Sequence, residues 1–299
     1  MPVSTPTAAV RSAEVHTLRA ASSMAIAALV DGPLRAATVV AATREMVAMS
    51  VHAVEPGLVC LTSRSAARLP CAMVLPGPVP AADTGAPATV GNGRVTLPGI
   101  VVGASRWWAV RLPRVAESRV ALARSATCAA PVLGPEVLDA AAALAGALHS
   151  RALRLDEAVR GLLGLGPGLT PQGDDVLAGA LVALRAVHRP AADRLAAEIT
   201  RARPFERTTA VSAGLLAYAA HGRCVPELSA FLDALGAPGT DLLGARRQLL
   251  TIGHTSGAGL CAGVLGALAG PASLAAGAVP APRRPVTGSV TVTTSRSQS

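Results

Sequence analysis

Gly164-Leu165-Gly166-Pro167-Gly168-Leu169-Thr170-Pro171-Gln172-Gly173-Asp174-Asp175 runs directly into Val176-Leu177-Ala178-Gly179-Ala180-Leu181-Val182-Ala183-Leu184. The second stretch has no polar face, so as a helix it is buried on all sides. The first stretch is the turn that starts it. Thr170 is a capping residue, and Pro171 suits the first helical position, where a missing N–H is no loss. Gly164, Gly166 and Gly168 supply backbone that adopts positive φ and lets a ligand approach the chain. Free N–H groups at such a helix start favour an anion.

Asp174 and Asp175 stand side by side in the first turn. Ionised groups beside a buried element cost about several kcal/mol unless they are partnered. They complement the helix dipole, or they hold a divalent cation, or they orient a polar group of a substrate. Hard carboxylate oxygens suit Mg²⁺, so Asp174 and Asp175 are the candidate metal ligands. Without a cation they would repel a phosphate. No Gly-Lys-Ser/Thr follows the glycines, which excludes a P-loop. No strand leads into them, which excludes the dinucleotide fingerprint.

Two further helix starts share this character. Ile252-Gly253-His254-Thr255-Ser256-Gly257 opens a second helix without a polar face, with Ser256 as its expected cap and His254 as its titratable group. Gly259 and Gly263, four apart, allow close helix contact. Arg207-Thr208-Thr209-Ala210-Val211-Ser212 opens a third, with Thr208 as its expected cap and Ser212 one turn further on the same face. Arg203 and Arg207 flank it as candidate partners for Asp174, Asp175 or an anion. Gly166, Gly168, Thr170, Gly173, Thr209, Ser212, Ser256 and Gly257 are thus candidate substrate-binding residues, with Asp174, Asp175 and His254 the candidate catalytic ones. They form one site only if the three starts meet. Simple up-and-down alternation puts the Ser256 start at the opposite end from the Thr170 start unless a connection crosses over.

Outward from these loops the chain changes character. From residue 135 the pattern is helical: Glu136–Ser150, Asp156–Leu163, Thr170–Val187, Ala191–Arg203, Thr208–His221, Pro226–Leu235, Asp241–Leu250 and Ser256–Ala269. Before residue 117 it is β-rich. Short apolar runs (Ala37–Val40, Leu58–Leu61, Ala72–Leu75) are broken by Pro and Gly, and Asn92-Gly93 between Ala88–Val90 and Val95–Leu97 signals a hairpin. Ile100–Val102 and Trp107–Val110 read as further strands, and Val15–Leu29 as an early helix packed on the sheet. The expected fold class is α+β: a β-rich N-terminal domain (1–117), a connector (118–134), a mainly helical domain (135–275) and a disordered tail (276–299).

Composition sets bounds on function. Hydrophobic residues make up 51% of the 299, which supports packed cores rather than disorder. The net charge is +9, and every residue of the Lys+Arg total is arginine. Aromatics are 2%, too few to stack on bases along a strand, and no recognition motif accompanies the arginines, so no nucleic-acid partner is expected. A small anionic ligand remains open. The five cysteines are widely spaced, with no C-x-x-C pair, which fits a reducing cytoplasm rather than a disulfide framework or structural zinc. The N-terminus lacks a signal-peptide pattern. The uncharged stretch from Ala258 to Val279 is Ala- and Gly-rich and broken by Pro271, so no membrane span is expected.

Gly164 to Asp175, Thr209-x-x-Ser212, Ala219 to Gly222 and Gly253-His254-Thr255-Ser256-Gly257, with the early Pro56-Gly57-Leu58-Val59-Cys60-Leu61-Thr62, resemble a bacterial family. It is catalogued as a domain of unknown function and named for the third subunit of the allantoin-pathway oxamate carbamoyltransferase. The resemblance spans most of the chain, and its most specific segment is Gly-Pro-Gly-Leu-Thr-Pro-x-Gly-Asp-Asp. It implies action with partner subunits of a hetero-oligomeric complex in purine-derived nitrogen catabolism, converting carbamoylated oxamate and phosphate to oxamate and carbamoyl phosphate. Phosphate, oxamate and carbamoyl phosphate are then the expected anionic substrates. The pattern is departed from in two places: Gln172 stands where a small Ser is expected, and Ala258-Gly259 where a bulky residue and Asp are expected. Two other readings stand beside this one. One is a non-catalytic ligand-binding or scaffolding subunit, the other a hydrolase with a metal-bound water at the aspartates.

Overall fold

The computed structural model describes residues 16–116, 132–150, 154–237 and 239–275. Eight strands come first: β1 (His16–Ser23), β2 (Arg35–Ala42), β3 (Met46–Val51), β4 (Leu58–Thr62), β5 (Ala72–Val74), β6 (Pro87–Gly91), β7 (Arg94–Leu97) and β8 (Ile100–Trp108). They close into a barrel in the order β1-β5-β4-β3-β2-β6-β7-β8. β8 completes it by pairing with β1 in parallel, His16 opposite Ile100 and Ser23 opposite Trp108. Asn92-Gly93 makes the expected tight hairpin between β6 and β7. Val39, Met49, Leu61, Met73, Val90 and Val102 lie in the barrel core.

The expected fold class is corrected here. The β-rich N-terminal domain, read as a sheet with an early helix packed on it, is a closed barrel of eight strands. Of the segment read as a helix over Val15–Leu29, Val15 lies outside the described residues; the rest is strand β1 followed by a single 3-10 turn (Met24–Ile26) and α1 (Ala27–Val30). Its Ala- and Ser-rich sequence carries no strong period, and its conformation is set by partners on both edges, β5 and β8. Closure leaves the barrel without free edges. The run from Trp107 to Val110 is no separate strand, because Trp107 and Trp108 finish β8.

The helices are α2 (Pro135–His149), α3 (Leu155–Leu162), α4 (Gln172–Ala186), α5 (Ala191–Arg201), α6 (Pro204–Arg207), α7 (Ala210–Ala220), α8 (Pro226–Gly236), α9 (Leu242–Leu250), α10 (Ser256–Ala269) and α11 (Ala272–Ala275). The two helices without polar faces, α4 and α10, form the central pair. A Cβ on Gly259 would lie 2.7 Å from Asp175 Cβ, and one on Gly263 would meet the Val176 carbonyl and lie 2.7 Å from Ala180 N. Gly179 in turn abuts the Leu260 carbonyl. Ascending α10 therefore matches ascending α4, so the pair is parallel, and the chain between them crosses over. α7 joins this body to the barrel: its Val211 and Tyr218 belong to the barrel core, and the Tyr218 hydroxyl donates to the Leu58 carbonyl at 2.9 Å. No helix among the described residues is long and apolar enough to cross a membrane. Of the expected connector and tail, 118–131 and 276–299 lie outside the described residues.

Candidate functional site

The parallel pairing of α4 with α10 brings their N-terminal turns together. Thr170 Oγ1 and Ser256 Oγ are 3.0 Å apart. Gln172 Nε2 donates to the Thr255 carbonyl at 3.4 Å. The start of α7 joins them, since Thr209 Oγ1 donates to the Leu169 carbonyl at 2.5 Å. All three glycine- and hydroxyl-bearing starts therefore meet at one place, by the crossover that simple alternation lacks.

The caps differ from those expected. Pro171, not Thr170, takes the capping position of α4. Thr209, not Thr208, caps α7, its Oγ1 accepting from Ser212 N at 3.0 Å. Thr255 rather than Ser256 precedes α10. Each displaced hydroxyl is engaged elsewhere in the site.

Asp174 collects them. Its Oδ1 accepts from the Gly164 amide at 2.8 Å, and its Oδ2 accepts from Thr208 Oγ1 at 2.5 Å and Ser212 Oγ at 2.7 Å. Burial pushes this carboxyl above the usual range, while the three donors pull it back. Gly164 fits because its φ is +80° and the Arg207 carbonyl occupies the space of a Cβ. Asp174 thus ties the glycine loop to the start of α7, and its oxygens are engaged. Arg203 pairs with Glu206 at 3.0 Å, not with either aspartate.

Asp175 is a different case. It is buried, and its Oδ2 has no hydrogen-bond partner among the described residues. Burial pushes its pKa up to about 8; the Ser256 hydroxyl beside it works downward and the charge of Asp174 upward. At neutral pH it is therefore mostly protonated. Ser256, beside Asp175, is in turn 3.0 Å from Thr170 Oγ1, and the tip at 166–169 just ahead of Thr170 is exposed.

The amides at the helix start are not free, as the sequence had suggested. Gly173 N donates to Leu165 O at 2.9 Å, and the Asp174 and Asp175 amides donate to Pro171 O. Gly173 is buried with the Leu162 carbonyl where a Cβ would stand. Gly257 is likewise packed on Leu249, and its amide donates to Ile252 O at 3.0 Å. The amides of Gly166, Gly168, Leu169 and Thr170 take no backbone partner among the described residues. Gly166 and Gly168 are exposed, as is His254 in the turn ahead of α10.

The candidates thus divide. Gly173, Asp174, Thr209, Ser212 and Gly257 hold the site together. Gly166, Gly168, Thr170, Asp175, Ser256 and His254 are left with groups that a ligand can use. Thr208 was read as a cap, and its role as a partner of Asp174 was missed. The signal was present: a buried carboxylate needs donors, and Thr208 and Ser212 lie one turn apart.

Asp174 already accepts three hydrogen bonds and Asp175 favours its neutral form, and no group of three or more His, Cys, Asp or Glu side chains suited to a metal occurs among the described residues. The three donors spread the charge of Asp174 without removing it, and that charge helps to hold the proton on Asp175.

No solved structure matches the chain. Residues 162–268, which run from the end of α3 through the glycine loop into α10, match the family model described as oxamate carbamoyltransferase subunit AllH, and this bears out the family that the glycine loop resembles.

Proposed function

We propose that this chain is a subunit of an oxamate carbamoyltransferase complex and that the meeting point of α4, α7 and α10 binds the anionic substrate and supplies a proton. The observation that carries this reading is Asp175, a buried carboxyl with an unpaired oxygen, held mostly neutral beside Ser256 and Thr170. The free amides of the glycine tip and the exposed His254 favour a phosphate or carboxylate at the mouth. In the phosphorolytic direction, a phosphate oxygen bonds to the carbamoyl carbon and the bond from that carbon to the oxamate nitrogen breaks. The departing nitrogen takes a proton, which Asp175 delivers through Ser256 and Thr170. Water or phosphate then returns a proton to Asp175.

A second reading has its own support. Asp174, Thr209 and Ser212 are all committed to holding the site, as suits a subunit that positions a ligand for catalysis by its partners.

Reconstitution with the partner subunits separates the two. Asp175→Asn should lower the turnover of carbamoyl transfer about 100-fold or more, the range expected for loss of a proton donor. The wild-type rate should fall as pH rises through about 8, and that fall should vanish in the variant. Undiminished activity with Asp175→Ala across that pH range would overturn the catalytic reading. Loss of substrate binding, with turnover of bound substrate intact, would establish the positioning one.

A further inference from the structure

Far from the glycine loop in sequence, the barrel carries a cavity of about 740 Å³ lined by Arg19, Arg64, Arg68, Arg106, Trp107 and Trp108, with no carboxylate among its lining residues. Local geometry explains how they meet. β4 and β5 pair in parallel, so residues 63–71 must double back at the barrel's end, and this crossing carries Arg64 and Arg68. Opposite it, the pairing of β1 with β8 slips between Ala20 and Ala21, where Ser105 is the extra residue. The Ser105 hydroxyl donates to the Ala20 carbonyl at 3.0 Å and fixes the slip. A bulge breaks strand alternation and re-aims the side chains beyond it, here Arg106, Trp107 and Trp108 at the end of β8.

None of the four arginines is in an ion pair among the described residues. Four cations crowded into one concavity repel each other and focus a positive potential there. Guanidinium forks match phosphate oxygens in bidentate fashion. The chain has two tryptophans, and both line this cavity. Trp107 is half-buried against the barrel core. The Trp108 Nε1 is buried with no acceptor among the described residues, which leaves the indole a hydrogen bond to gain. Inorganic phosphate needs neither the indoles nor this volume. A volume within about 300–1,000 Å³ is that of a small-molecule site rather than of a surface for an extended chain.

We propose that this cavity is a binding site for a nucleoside polyphosphate, with the arginines on the phosphates and an indole stacked on the base. It is separate from the glycine-loop site and does not rest on the function proposed there.

Tryptophan fluorescence reads this cavity alone. The full chain is titrated at low salt with ATP, ADP, inorganic tripolyphosphate and adenosine. ATP or ADP should quench saturably at submillimolar concentration, with tripolyphosphate about tenfold weaker and adenosine silent. Replacing Arg64 and Arg68 together by Ala should weaken ATP binding about tenfold or more, the loss expected for charge-assisted hydrogen bonds. Both residues are exposed, so the melting temperature should hold. Asp175→Asn should leave the titration unchanged. Absence of saturable quenching by ATP and ADP overturns the proposal. So does tripolyphosphate binding as tightly as ATP, or a double variant that binds ATP like the wild type.

Discussion

At the scale of the residue, two neighbouring carboxyls have opposite roles, and environment alone separates them. Asp174 accepts from an amide and two hydroxyls, while Asp175 faces Ser256 with an oxygen to spare. Removing the first strands three donors. Asp174→Ala should therefore cost about 3 kcal/mol or more of unfolding free energy in urea, at roughly 1–3 kcal/mol for each unsatisfied buried group. The second affects stability through pH. The folded chain keeps the Asp175 proton up to about 8, whereas an unfolded chain releases it near the ordinary value of 3.8. Between those limits the unfolded state binds fewer protons, so this residue's contribution to stability falls as pH rises through the window. Asp175→Asn should remove that slope, and melting curves of the two proteins from pH 5 to pH 9 should diverge most at the alkaline end.

At the scale of the element, the site depends on how closely α4 and α10 lie. Gly179, Gly259 and Gly263 each leave room for backbone or Cβ of the other helix. Gly263→Ala would drive a methyl into the Val176 carbonyl and the Ala180 amide, both backbone, which cannot yield as a flexible side chain does. The helices must separate, at a cost of about 1–3 kcal/mol by the usual scale of overpacking. Separation also opens the 3.0 Å contact of Thr170 with Ser256. The variant should melt lower and lose substrate affinity, although it touches no ligand. Calorimetry of folding and of substrate binding on the same sample checks both effects.

At the scale of the whole molecule, α7 couples the barrel to the site. Tyr218 donates to the Leu58 carbonyl of β4 while Ser212, on the same helix, holds Asp174. Tyr218→Phe should cost about 1 kcal/mol of stability by urea unfolding, the net worth of one hydrogen bond. Much of the helical half was legible in the sequence, because α4 and α10 announce burial by lacking any polar face and their glycine turns mark where they begin. The hairpin at Asn92-Gly93 was legible from local turn chemistry. Closure of the barrel was not, since nothing within His16–Ser23 or Ile100–Trp108 names the other as its partner. The same holds for the thiols of Cys60 and Cys71, 3.6 Å apart in the barrel wall though eleven positions apart in the chain. Of the hydroxyl partners of Asp174, Thr208 was read as a cap and Ser212 as a substrate contact, because local pattern cannot see a carboxylate brought from another helix. The parallel pairing of α4 with α10 also dictates an order of events in time. Contacts between segments so far apart in the chain form slowly and after the local ones, and on the ribosome they wait until the later segment has emerged. A nascent chain carries the whole glycine loop long before Ser256 and Gly259 exist to enclose Asp175. Until then that carboxyl is solvated and ionised, and it takes up its proton only when synthesis of the site is complete.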